Sequence, residues 1–216
     1  ATGDTGGDAS AVQEEAQAAV QATASSSSAA STAEASGFNS AQFGATIPPW
    51  SAAHAYTNLY GPKAADKTIT ATVTGNLTAS TQGQQVDLGS ARVGGNLMVQ
   101  TNGGNIVQST NPSSALQVTG TSTLNAGTGN VTLPNIPNQF GDAINLQAHD
   151  VVLVGSNGLL LGNSTVTGNM SVSAATGNVT QTPTGTLNVL GTSSVSAPQG
   201  DVVLGNANTF AQALSL

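Results

Sequence analysis

Leu161-Gly162-Asn163-Ser164-Thr165-Val166-Thr167-Gly168-Asn169-Met170, followed by Gly177-Asn178-Val179, is the second use of a pattern that the chain has already used once. The same places 73 positions earlier hold Leu88-Gly89, Val93, Gly95-Asn96-Leu97 and Gly104-Asn105-Ile106. The correspondence continues downstream through small deletions. Gly129-Asn130-Val131 returns as Gly200-Asp201-Val202, and Asn138-Gln139-Phe140 as Asn208-Thr209-Phe210. A fixed long period decides the architecture, because a repeated unit buries its apolar face against its neighbours and not within itself.

Each 73-residue unit holds about nine short apolar stretches, near Leu97, Ile106, Leu116, Leu124, Val131, Ile144, Val152, Leu160 and Val166. Three strands per turn then give three triangular coils of roughly 24 residues per unit. About six coils fill residues 67–216 and make a rod roughly 30 Å long at the ~4.8 Å strand spacing. Leu116-Gln117-Val118-Thr119 and Ile144-Asn145-Leu146-Gln147 alternate apolar and polar, so one face of each strand is buried. Gly-Asn pairs between strands suit sharp corners, since both residues tolerate positive φ. The prediction is an all-β right-handed parallel β-helix; an antiparallel sandwich or barrel with Gly-Asn hairpins is the competing arrangement.

Residues 1–66 are different in kind. They carry six of the ten acids and five of the seven aromatics, and they are expected to be mostly irregular and partly helical, with a short helix over Asp8–Thr23 and a low-complexity stretch from Ser25 to Ala35. Phe38, Phe43, Trp50, Tyr56 and Tyr60 cluster around Ile47-Pro48-Pro49. Two roles compete for them: a cap over the first coil of their own rod, or a latch that docks on a neighbouring subunit. At the other end, Leu214 and Leu216 fall where a further coil would begin, and join the aromatics as the expected cap or subunit interface.

The order Gly141-Asp142-Ala143-Ile144-Asn145-Leu146, Leu161-Gly162-Asn163-Ser164-Thr165-Val166-Thr167-Gly168-Asn169-Met170 and Gly177-Asn178-Val179-Thr180-Gln181 resembles the repeats of filamentous haemagglutinin-like adhesins. Thr119-Gly120-Thr121-Ser122-Thr123 and the Asn-x-Phe turns at Asn138 and Asn208 belong to the same pattern, and the resemblance spans about residues 69–216. It implies a β-helical rod, secreted through an outer-membrane partner pore, that holds adhesive regions away from the cell. The chain departs from that family in its shortness and in an N-terminal region unlike the family's secretion domain.

Composition limits the chemistry. Only 6% of the 216 residues are charged, the net charge is −7, and Lys63, Lys67 and Arg92 are the sole basic side chains to meet phosphates, so nucleic acid is not an expected partner. There is no cysteine, which removes thiolate catalysis and Cys-based zinc sites. No apolar run is long enough for a transmembrane helix, and the opening Ala1-Thr2-Gly3-Asp4, without Met, fits a mature product whose signal has been removed and equally a fragment of a longer chain.

Asp87, Asp142, Asp150 and Asp201 are too scattered to promise the paired carboxylates of a polysaccharide-cleaving β-helix, and His149 and Asp150 are strand neighbours that point to opposite faces. No enzyme activity, metal or cofactor is expected. Five Asn-x-Ser/Thr triplets, at Asn76, Asn130, Asn163, Asn169 and Asn178, fit glycosylation, but corner placement accounts for them as well.

The functional expectation is an extracellular structural or adhesive subunit on a bacterial surface that stacks head to tail into fibres. The alternatives are a non-polymerising adhesin whose loops bind a surface glycan or protein and, less favoured, a polysaccharide-active enzyme.

Overall fold

A computed structural model describes residues 32–36, 54–59, 67–108 and 110–216 of the chain. The expected helix over 8–23 lies outside them. From Lys67 onward the described backbone is a parallel β-solenoid of about seven turns, with no helix. At ~4.8 Å per turn the stack is roughly 35 Å long.

Three faces run along it. Face A stacks Asn76–Thr81, Leu97–Gln100, Ser122–Asn125, Ile144–Ala148, the second half of Leu159–Val166, Leu187–Val189 and Thr209–Phe210. Face B stacks Val86–Asp87, Ile106–Val107, Val131–Leu133, Val151–Gly155, Met170–Ala174, Ser193–Ser196 and Leu214–Ser215. Face C holds Ala91–Val93, Leu116–Val118 and Gln139–Phe140, then the first half of Leu159–Val166, Val179–Gln181 and Val202–Val203.

Alternation sets the core. Asn76–Thr81 and Val151–Gly155 bury every second residue, and parallel register then places like on like: Leu77 under Leu97, Ala79 under Val99, Val131 under Val151 under Met170. Among the described residues the interior is a continuous column of Leu, Val, Ile and Ala, with Met170 and Phe140.

Two details differ from the expectation. The turns are uneven: successive face C to face A corners are 20 residues apart between Asn76 and Asn96, 25 between Asn96 and Thr121, and 18 between Asn145 and Asn163. The short ones make room for about seven turns in place of six. The strands expected separately near Leu160 and Val166 are one, Leu159–Val166, which bends round a corner with a register shift opposite Ile144–Leu146.

The Gly-Asn corners form for another reason than the one predicted. Of the described glycines that precede Asn, only Gly177 has positive φ (74°), and the one positive-φ residue other than glycine is Asn102 (51°), which precedes a glycine. Space is what selects glycine here. A Cβ on Gly104 would run into the carbonyl of Gln84, on Gly129 into that of Gly104, and on Gly168 into the carboxylate of Asp150, each on the turn before. The Asn that follows serves the next turn: its Oδ1 accepts a backbone N–H that no strand satisfies. At the corner from face A to face B this makes a running ladder. Asn105 accepts from Asn130 N (2.9 Å), Asn130 from Asp150 N (3.1 Å), Asp150 from Asn169 N (2.7 Å), and Asn169 from Thr192 N (3.0 Å) and Thr192 Oγ1 (2.8 Å).

Candidate functional site

Corner ladders use side chains that point outward; several polar groups point in, Thr81, Thr101, Gln108, Ser122 and Asn138 among them. Asn138 is fully buried and its side-chain amide faces that of Gln108 on the preceding turn. Gln108 Nε2 donates to Asn138 Oδ1 (2.7 Å) and Asn138 Nδ2 donates to Gln108 Oε1 (2.8 Å). Asn138 Oδ1 also accepts from Leu116 N (2.9 Å), and Nδ2 reaches Leu133 O (3.4 Å). A planar amide with both ends satisfied is what makes its burial tolerable. Beside it Asn135 Nδ2 donates to Asn111 O and Ser114 O, both at 3.1 Å.

Asn138 also reaches forward. Its Nδ2 lies 3.3 Å from Val154 O, and its own carbonyl accepts from Ser156 N (2.7 Å) and Ser156 Oγ (3.0 Å). Strand pairing on face C is absent at this level, between Gln139–Phe140 and Leu159–Leu161, so these bonds hold the two turns together there.

The clasp recurs. Gln181 Nε2 donates to Asn208 Oδ1 (2.7 Å), Asn208 Nδ2 to Gln181 Oε1 (3.0 Å), Leu187 N to Asn208 Oδ1 (2.9 Å), and Asn206 Nδ2 to Thr182 O and Gly185 O (2.8 and 2.7 Å). Gln108 and Gln181 are separated by the 73-residue period. The equivalence of Asn138 and Asn208 is visible in the sequence, yet their Gln partners carry no turn signal and pass unnoticed until the fold brings them together.

The residues expected at an interface are spread out. Phe38, Phe43, Trp50 and Tyr60 lie outside the described residues. Tyr56 belongs to His54–Leu59, which pairs in parallel with Asn76–Thr81 and places Tyr56 opposite Thr78 at the start of face A. Thr32–Ser36 runs antiparallel to Thr68–Thr72 at the same end. Leu214 sits on the last strand of face B, paired with Ser193 and 39% exposed, and Leu216 is 73% exposed. Tyr56 and Leu214 therefore stand at opposite ends of the stack.

Most outward side chains are polar, with Met98, Ile136, Leu190 and Val203 among the exposed apolar exceptions. His149 Nδ1 lies 3.1 Å from Thr167 Oγ1, while Asp150 serves the corner ladder. Asp142 accepts from Thr121 Oγ1 (3.1 Å) and Ala143 N (2.7 Å). On face A, Thr123, Asn125, Asn145, Gln147, Asn163 and Thr165 line a shallow hollow of about 210 Å³. Among the described residues no three His, Asp or Glu side chains converge, and no helix is long and apolar enough to cross a membrane.

A family described as repeats of unknown function, DUF5649, matches residues 74–147 and again 148–216. No curated protein and no solved structure matches the chain. The boundary between the two matches falls just before the Val154 and Ser156 contacts, so Asn138 spans the junction of the two copies.

Proposed function

The chain belongs to the DUF5649 repeats, and from the way its two copies are joined we propose that it is an extracellular structural or adhesive rod that extends by adding units end on. The carrying observation is the forward half of the Asn138 clasp. Asn138 ties its own copy together through Gln108 and Leu116, then ties on the next copy through Val154 O, Ser156 N and Ser156 Oγ.

Asn208 repeats the inner half with Gln181 and Leu187. Around it Val202, Leu204 and Phe210 pack only in part against the core. The same clasp at Asn208 would let another unit be joined as the second copy is joined to the first. Parallel pairing from turn to turn supplies the backbone bonds for such an addition. The resemblance to filamentous haemagglutinin-like repeats supports the placement outside a bacterial cell, as does a surface made polar by Ser, Thr, Asn and Gln with few charges.

Electron microscopy and sedimentation velocity on the 216-residue chain at rising concentration test the stacking. Growth into linear assemblies is expected, and Asn208→Leu should shorten them. Single short rods at every concentration would overturn stacking between molecules. Deleting residues 1–60, or the smaller change Trp50→Ala, tests the aromatic segment as a latch: assemblies that persist unchanged assign it no role between subunits.

One observation favours display of a binding surface as a second reading. The face A hollow gathers amide and hydroxyl groups with no charge among them, a lining suited to a neutral polyhydroxylated ligand such as a glycan. Glycan-array binding that Asn145→Ala and Gln147→Ala abolish, without assemblies, would favour it over stacking.

A further inference from the structure

The chain contains two Asn-Gly dipeptides, Asn102-Gly103 and Asn157-Gly158, and both asparagines are exposed. In such a pair the glycine nitrogen, with no Cβ beside it, has open access to the asparagine side-chain carbonyl carbon. Attack forms the N–Cγ bond of a five-membered succinimide. The glycine N–H proton passes to solvent base, the bond from Cγ to the side-chain nitrogen breaks, and ammonia leaves. Water then opens the ring at either carbonyl, giving aspartate or, with the backbone rerouted through Cγ, isoaspartate. The step needs a glycine N–H free of a protein acceptor and a side chain free to turn toward it.

The solenoid treats the two pairs differently. At Asn102 every participating group is held: Nδ2 donates to Thr81 O (2.6 Å), Oδ1 accepts from Gln100 Nε2 (3.0 Å), and Gly103 N donates to Ala126 O on the next turn (3.0 Å). At Asn157 none of these bonds exists among the described residues, and the Gly158 N–H has no acceptor there. Only the flanks are fixed, by Ser156 N to Asn138 O (2.7 Å) and Leu159 N to Asn178 O (2.8 Å). We infer that Asn157 is a site of spontaneous covalent modification, water being the only co-reactant, and that Asn102 is protected from the same reaction by its three hydrogen bonds.

The site lies where a change is felt. Gly158 packs directly below Gly177, which has a φ of 74° and no room for a Cβ against the Gly158 nitrogen. Isoaspartate lengthens the main chain by one carbon at that contact, and either product adds a negative charge to a chain that already carries −7.

The test is peptide mapping by mass spectrometry on the 216-residue chain held at mildly alkaline pH, folded and in guanidinium, with isoaspartate detected by methyltransferase labelling. Rates at each site are compared as folded over denatured. Asn157 should retain most of its denatured rate. Asn102 should be slowed at least about tenfold, since reaction there first breaks several hydrogen bonds. Equal suppression at both sites, or faster conversion of Asn102 in the folded chain, would overturn the inference.

Discussion

The side-chain amides of Gln108 and Asn138, thirty residues apart in the chain, bond each other twice inside the solenoid, at 2.7 and 2.8 Å. They stand on consecutive turns, and Asn138 extends the contact to Val154 and Ser156 of the next copy. Asn138→Ala should cost about 3 kcal/mol or more, because it leaves Gln108 Oε1 and the Leu116 N–H buried without the bonds Asn138 gives them, while Gln108 Nε2 keeps Ser114 O. Gln108→Ala should cost about 2 kcal/mol, and the double variant less than the sum, the signature of a shared bond in a double-mutant cycle read by urea unfolding.

The second clasp gives an internal comparison. Gln181 and Asn208 make the same pair of bonds but remain half-buried. Asn208→Ala should therefore cost about 1 kcal/mol in the unassembled chain, distinctly less than Asn138→Ala by the same urea titration, because water reaches the groups it leaves behind.

Glycine substitutions separate space from conformation. Gly129→Ala puts a methyl group into the Gly104 carbonyl and should destabilise by about 2 kcal/mol or more, although neither glycine has positive φ. Gly205→Ala meets nothing within 4 Å and should be neutral or stabilising by up to about 1 kcal/mol. Thermal unfolding of the two variants should move in opposite directions or leave Gly205→Ala unchanged.

The corner ladder predicts which exchanges are silent. Asp150→Asn keeps an oxygen for Asn169 N and should stay within about 0.5 kcal/mol of the parent. Asn169→Ala loses the acceptor for both Thr192 N and Thr192 Oγ1 and should cost about 1 kcal/mol, with faster amide exchange at Thr192.

Ser122 is fully buried between Leu97 and Ile144, and among the described residues its hydroxyl has no partner; Ser193 is alike, between Met170 and Leu214. Ser122→Ala should stabilise by about 1 kcal/mol, since it removes a desolvated hydroxyl and leaves little void. A loss of melting temperature in that variant would show that the hydroxyl has a bound water to serve.

The sequence by itself determined the repeat, the parallel stacking of short strands and which residues face inward. These follow from period: Leu97 and Met170, Ile106 and Val179 recur at one spacing, and alternation decides the buried face of a strand wherever it pairs. Tertiary structure alone decided the rest. Uneven turns of 18 to 25 residues set the number of coils, because a corner absorbs extra residues without disturbing the strands on either side. The glycines proved to be places where turns touch, and that is a distance between residues some twenty apart, which no local pattern encodes. The Gln108–Asn138 clasp joins residues thirty apart whose amides look, in sequence, like any surface polar pair. Only stacking brings them inside, where leaving either amide unbonded would cost more than the pair is worth in water.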